Sequence, residues 1–115
     1  MTDKQLLKLA AKAAGFEIAK WQNLEGWGEV RYGLREAIWN GEEYWNPLTD
    51  SGDALWLAVQ LRLRIDIHPR EVWVTNQSGQ TSIQQVTGSQ DPNALGDATR
   101  RAIVRAAAAI GEAMP

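Results

Sequence analysis

The sequence contains no cysteine and only one histidine, His68. The lack of cysteine excludes disulfides, thiolate metal sites and a cysteine nucleophile, and a single histidine excludes any site that needs two. Long hydrophobic runs are also missing, because Ala54–Val59 and Ala106–Ile110 fall far short of the roughly 20 residues that cross a bilayer. Met1–Gln5 leads directly into an amphipathic pattern. We therefore expect neither a secretory signal nor membrane attachment.

Basic charge is scarce and unevenly placed. The net charge is −2 and the isoelectric point is about 5.3. All four lysines lie in the first 20 residues, whereas Glu17–Asp53 carries eight acidic residues against three basic ones. A nucleic-acid-binding domain usually has an isoelectric point above about 9. The charge distribution therefore disfavours duplex DNA as a partner and makes the acidic middle segment the candidate contact surface.

Hydrophobic periodicity predicts three helices in one domain spanning residues 1–115. The first covers Asp3–Ala14 and begins with a capping box between Thr2 and Gln5. The second begins at Asp50 or Ser51, ends near Arg62 or Leu63, and is apolar enough to be buried on most sides. The third covers Asn93–Ala113, with Leu95 among the residues expected to face the core.

The strands predicted from alternation and turn signals are short. They are Ile18–Trp21, Leu34–Trp39, Ile65–His68, Val72–Thr75 and Thr81–Val86. Trp27-Gly28 and Tyr32-Gly33 indicate irregular loop. Three amphipathic helices need a surface to pack on, and antiparallel strands provide one. The predicted fold class is therefore α+β, a three-layer α/β/α sandwich with a small central antiparallel sheet.

Two segments resemble a family of small phage proteins. Tyr44–Leu55, continued by Leu57–Leu61, resembles the Asn-Pro-Leu-Thr-Asp block of the phage ABA sandwich domain, and Ala98–Gly111 resembles its closing helix. The chain departs from the family pattern at Ser51, where Asp is commoner, and at Trp56, where a polar residue is expected. The resemblance implies a phage or prophage origin and an α/β/α layering. It implies no agreed biochemical activity, so no catalytic residues, cofactor or metal are carried over.

Six tryptophans accompany a single phenylalanine. They could form a stacking surface for a base, a sugar or a peptide, or they could fill the core. At most three or four indoles fit inside, so we expect one or two to be exposed. The turn after the acidic segment also has two interpretations. It could form the rim of a pocket, or it could be a structural turn that caps the next helix. Its candidate residues are Trp45, Asn46, Asp50 and Asp53. Mg²⁺ is disfavoured there because only Glu42 or Glu43 could supply a third ligand.

Two further groups of polar residues are candidates. Asp66 and His68 share one face of a strand and could do acid–base work or lie unused at the surface. A set of arginines could bind phosphate or form a solvated face, with Asp97 paired to Arg101. These arginines are Arg62, Arg64, Arg100, Arg101 and Arg105.

The leading functional hypothesis is a non-enzymatic phage or prophage accessory protein that binds a host protein in the host cytoplasm. The alternative is a protein that sequesters a nucleotide-type signal between tryptophans and arginines and so counters host defence. A small enzyme using Asp66 and His68 is the third hypothesis. A homodimer is compatible with a tryptophan-rich surface. The candidate ligand- or partner-binding residues are Trp45, Asn46, Asp50, Asp53, His68, Trp73, Arg101 and Arg105.

Overall fold

The structure is a computed structural model that describes residues 1–88 and 91–115. Within these residues the chain forms four helices and six strands. In chain order they are α1 (Asp3–Ala13), β1 (Lys20–Asn23), α2 (Trp27–Tyr32), β2 (Glu36–Trp39), β3 (Tyr44–Trp45), α3 (Ser51–Gln60), β4 (Arg64–Ile67), β5 (Glu71–Thr75), β6 (Thr81–Gln85) and α4 (Ala94–Ala113). No helix in the described part of the chain has the length and apolarity needed to span a membrane.

The six strands form two antiparallel sheets of three strands each, in the orders β1-β2-β3 and β4-β5-β6. In the second sheet, Val72 and Val74 of β5 are fully buried, and β5 and β6 both contact α4. The opposite face of that sheet carries Trp73 opposite Ile83, and both side chains are exposed. The predicted α+β class is confirmed. The strands are shared between two small sheets rather than joined in one central sheet.

Helix α4 is the element around which the core assembles, because it contacts α1, α3, β5 and β6. Its buried face consists largely of alanines, which allow the neighbouring backbones to approach closely. The closest approach is at Gly111, where an added Cβ would lie 2.0 Å from the carbonyl oxygen of Leu9 in α1. The crossing of α1 and α4 therefore depends on the absence of a side chain at this position.

The first helix begins as the sequence predicts. Thr2 accepts a hydrogen bond from the Gln5 backbone N–H, and the Gln5 side chain accepts one from the Thr2 backbone N–H. The buried residues of α1 are Leu6, Leu7, Ala10 and Ala11. Gly15, just beyond the helix, has a φ of +86°, a conformation that suits glycine at this position.

The segment predicted as irregular loop contains the short helix α2, so that prediction is wrong. Gly26 and Gly33 flank the helix with φ angles of +81° and +72°. No residue of α2 is buried, and Trp27 and Val30 are 72% and 86% exposed. Because the helix has no apolar face against the core, hydrophobic periodicity gave no signal for it.

Two packing predictions for the later helices are also wrong. Helix α3 is buried along one stripe only, since Leu55 and Val59 are well exposed while Ala54, Leu57 and Ala58 face the core. The apolar side chains on the outer side of α3 therefore meet solvent. Leu95, expected in the core, is exposed in the first turn of α4.

Candidate functional site

The turn from Trp45 to Asp53 is held by its own polar side chains. The Asn46 amide Nδ2 donates to the Glu36 carbonyl oxygen at 2.7 Å, and Asn46 Oδ1 accepts from the Leu48 backbone N–H at 2.9 Å. Asp50 accepts from the Asp53 backbone N–H at 3.1 Å, which caps α3 as predicted. Asn46 is almost fully buried. Asn46 and Asp50 therefore have structural roles in this turn.

Beside the turn lies a pocket of about 270 Å³ formed by three separate segments of the chain. The β2–β3 turn contributes acidic residues, the loop after α1 contributes a phenylalanine, and the first turns of α3 contribute a carboxylate and an indole. The lining residues are Phe16, Asn40, Glu42, Glu43, Trp45, Asp53 and Trp56. We call this cavity the acidic aromatic pocket.

The aromatic wall of the acidic aromatic pocket is a contiguous stack. The Phe16 ring lies parallel to the Trp56 ring with centroids 5.6 Å apart, and it meets the Trp45 ring edge-on at 4.9 Å. Trp45 is only 2% exposed, whereas Trp56 is exposed at the surface. Phe16 thus separates a buried indole from an exposed one, and the wall runs from the core to solvent.

The negative charge of the pocket is not balanced by a cation. Within residues 1–88 and 91–115, no ion pair includes Glu42, Glu43 or Asp53. Burial raises the pKa of Asp53 to about 6 and is the largest cause. The nearby carboxylates of Asp50 and Glu43 raise the pKa further, while the hydrogen bond from the Asn46 backbone N–H opposes the rise. The pocket therefore holds carboxylates that repel one another.

The indole of Trp45 leaves a polar atom without a partner. Its Nε1 is buried and makes no hydrogen bond among the described residues. Buried donors are nearly always satisfied in native proteins, so such an atom needs an explanation. Because Nε1 is shielded from solvent, it is not open to a ligand in the acidic aromatic pocket, although Trp45 lines that pocket.

The other tryptophans are distributed between core and surface. Trp27, Trp56 and Trp73 are exposed, which is one more than the sequence led us to expect. They lie on α2, α3 and β5 respectively, so they belong to different elements. Trp56, which stands where the family pattern has a polar residue, is exposed and adds apolar surface beside the pocket.

The Asp66–His68 pair is not formed. Asp66 pairs instead with Arg64, at 3.3 Å between Oδ2 and Nε, and the His68 ring lies against Trp73 with centroids 5.0 Å apart. These residues lie on the exposed side of the second sheet and take no part in the acidic aromatic pocket.

The arginines of α4 are engaged with acceptors of the protein itself. Arg101 donates to Asp3 at 3.0 Å, and Arg105 donates to the Ile83 carbonyl and to Gln84, both at 3.0 Å. The predicted pair between Asp97 and Arg101 is wrong, because Asp97 pairs with Arg100 and Arg101 reaches across to α1. The spacing of residues along α4 does not show that Asp3, on α1, competes with Asp97 for Arg101.

Arg100 connects α4 to the turn. Its Nε donates to the Leu48 carbonyl at 3.2 Å and its Nη1 donates to Ser51 Oγ at 2.9 Å. These contacts occupy the guanidinium with structural acceptors. The arginines predicted to bind phosphate therefore do not form one open anion-binding face.

The structure thus brings together some of the predicted site residues and separates the others. Trp45 and Asp53 share the acidic aromatic pocket, with Asn46 and Asp50 supporting it, whereas Trp73, Arg101 and Arg105 lie elsewhere. The sequence prediction missed Phe16 and Asn40. The Asn40-Gly41 pair predicts a turn, and this turn places Glu42 and Glu43 in the same pocket as Trp45.

The carboxylates of the pocket are not arranged as a metal centre in the described part of the chain. No group of three or more histidine, cysteine, aspartate or glutamate side chains is suitably placed to hold a metal ion among the described residues. The aromatic wall is better suited to an organic cation, which gains from contact with ring faces as well as from carboxylates.

The sequence matches no family model, and no curated protein and no solved structure matches it significantly. The function of the site therefore has to be inferred from its own geometry and charge.

Proposed function

We propose that this protein acts by binding rather than by catalysis, and that its partner is a protein of a bacterial host. The contact is made through the acidic aromatic pocket and the exposed indole of Trp56 beside it. In this proposal the chain is a phage or prophage accessory protein that works in the host cytoplasm.

The observation that carries the proposal is the combination of an aromatic wall with uncompensated carboxylates in one open pocket. Phe16, Trp45 and Trp56 supply the wall, and Glu43 and Asp53 supply charge. Aromatic residues surrounded by polar groups are the typical centre of protein–protein contacts. A charged pocket also speeds the encounter with a partner of opposite charge.

The phage origin is supported by the resemblance of the Tyr44–Leu61 segment to the phage ABA sandwich domain. In the structure, this segment supplies Trp45, Asp53 and Trp56 to the lining of the pocket, together with the turn that supports them. Asn46, Asp50 and Asp53 hold the turn by hydrogen bonds, so their presence in the segment has a structural reason. Trp56, the position that departs from the family pattern, lines the pocket.

Sequestration of a nucleotide-type signal has less support. The pocket lined by Trp45 contains no arginine among its described residues, and its carboxylates would repel phosphate. Its volume of about 270 Å³ lies just below the range of roughly 300–1,000 Å³ that is usual for small-molecule sites. A side chain of a partner protein fits such a volume better than a nucleotide does.

The proposal is tested by affinity capture from bacterial lysate with three forms of the protein. The first is the wild type, the second carries Glu42→Lys and Glu43→Lys, and the third carries Glu29→Lys and Glu112→Lys. The two variants have the same net charge, but the changes of the third lie outside the pocket. We expect a host protein that the wild type and the third form retain and the second form loses. Equal retention by all three forms, or no retained host protein, would overturn the proposal.

A further inference from the structure

From the chemistry of the acidic aromatic pocket we infer that it binds an arginine side chain of the partner protein. This inference rests on the proposed function, since it names the chemical group through which the partner is recognised. It commits to one occupant, the guanidinium of an arginine together with the backbone that carries it.

The negative charge of the pocket favours the binding of a cation. Glu42, Glu43 and Asp53 line one cavity, and no basic side chain of the described residues lines it with them. Asp50, which caps α3, adds a further carboxylate behind Asp53. A cation bound here removes repulsion that the free protein has to tolerate, and its binding is therefore favoured over that of a neutral group.

The aromatic lining of the pocket favours a guanidinium over an ammonium group. The wall formed by Trp56 and Phe16 presents aromatic surface, and Trp56 is accessible to solvent. A guanidinium stacks on an aromatic face while its N–H groups point sideways to carboxylates, whereas an ammonium is a compact and strongly hydrated charge. An arginine can therefore use the wall and the carboxylates at the same time.

The inference is tested by titrating the ¹⁵N-labelled full chain with acetyl-arginine methylamide and, separately, with its citrulline analogue. The citrulline analogue has the same length and a neutral urea in place of the guanidinium. We expect the arginine probe to shift the Glu43 amide and the Trp56 indole resonances saturably, and the citrulline probe to bind at least about tenfold more weakly. Equal binding of the two probes, or no saturable shift in these resonances, would overturn the inference.

Two variants locate the binding site. Glu43→Gln should weaken the arginine probe about tenfold, while Glu112→Gln, a carboxylate outside the pocket, should leave its affinity unchanged. Trp56→Ala should weaken it as well, because the stacking surface is lost. If Glu112→Gln and Glu43→Gln have equal effects, the probe binds through general charge and the inference is wrong.

Competition separates this inference from the proposed function. The arginine probe, but not the citrulline probe, should release a captured host protein. A host protein that depends on Glu42 and Glu43 but is not released by the arginine probe would overturn the inference and leave the proposed function standing. A probe that binds in the pocket while no host protein is retained would overturn the proposed function instead.

Discussion

The backbone N–H of Asn46 donates a hydrogen bond of 2.9 Å to the Oδ2 atom of Asp53. This bond joins the turn that precedes α3 to the first turn of the helix itself. It also holds the Asp53 carboxylate beside Glu43, where burial and like charge raise its pKa. The same contact therefore orders the backbone and places an uncompensated charge in the acidic aromatic pocket.

The first prediction concerns the pH dependence of stability. The pKa of Asp53 is about 6 in the folded protein, above the ordinary value of 3.8, so the native state binds this proton more tightly than the unfolded state. The free energy of unfolding should therefore rise as the pH falls through about 6 towards 3.8, and decline as the pH rises through about 6. Urea denaturation across this range measures the effect.

The control for the first prediction is Asp53→Asn. Its amide oxygen can still accept the hydrogen bond from Asn46, but the side chain no longer ionises. We expect the variant to be more stable than the wild type above pH of about 7 and to lack this part of the pH dependence. A wild type whose stability falls steadily as the pH is lowered from about 7 to about 5 would contradict the prediction.

A second prediction follows from the charge repulsion between Asp53 and Glu43. The charge of Glu43 contributes to the raised pKa of Asp53, so Glu43→Gln should lower that pKa. The pKa should nevertheless stay above its ordinary value, because burial is the larger cause. Titration of the Asp53 carboxyl carbon by NMR measures the change. Glu112→Gln is the control and should leave the titration of Asp53 unaltered.

A third prediction concerns Asn46. Its side chain holds the Glu36 carbonyl and the Leu48 backbone N–H, and it is buried. Asn46→Ala leaves both groups unsatisfied and should lower the free energy of unfolding by about 1–3 kcal/mol. Asn23→Ala also removes a side-chain bond to a backbone N–H, that of Glu25, but at an exposed position. This control should cost no more than about 0.5 kcal/mol, and equal losses would show that burial of Asn46 is unimportant.

A fourth prediction concerns the crossing of α1 and α4. In Gly111→Ala the new methyl group would meet the Leu9 carbonyl, so the two helices must move apart, at a cost of about 1–3 kcal/mol. Gly96→Ala is the matched change in the same helix. Its nearest neighbour is the Arg100 guanidinium, at 3.3 Å, which has to move by only a few tenths of an ångström, so the substitution should change the free energy of unfolding by no more than about 1 kcal/mol. Thermal denaturation of the two variants distinguishes them, and a stable Gly111→Ala protein would refute the close contact.

The parts of the fold that depend on local contacts could be predicted from the sequence. The capping box at Thr2, the Asp50 cap and the antiparallel strands around Trp73 each depend on residues within a few positions. Helix α2 could not be predicted in the same way, because it buries no residue and its flanking glycines resemble those of a loop. The division into two sheets depends on how the helices pack, which periodicity does not encode.

The candidate site was predictable only in part, for a similar reason. Trp45 and Asp53 are eight residues apart, and the turn between them is readable from its proline and its helix cap. Phe16 lines the pocket although it lies far from Trp45 and Asp53 in the sequence. Arg101 pairs with Asp3 of α1 and not with Asp97 as predicted. The positions of Phe16 and Arg101 depend on contacts between different elements, and a local sequence pattern does not predict such contacts.

Native mass spectrometry of the protein isolated from a bacterial host lysate tests the central claim most directly. It reports bound proteins, bound small molecules and self-association together. The account predicts the mass of the chain plus a host polypeptide, and the loss of that polypeptide when Glu42 and Glu43 are replaced by lysine. A small anionic molecule that is released on denaturation, with no host polypeptide present, would contradict the account and favour sequestration.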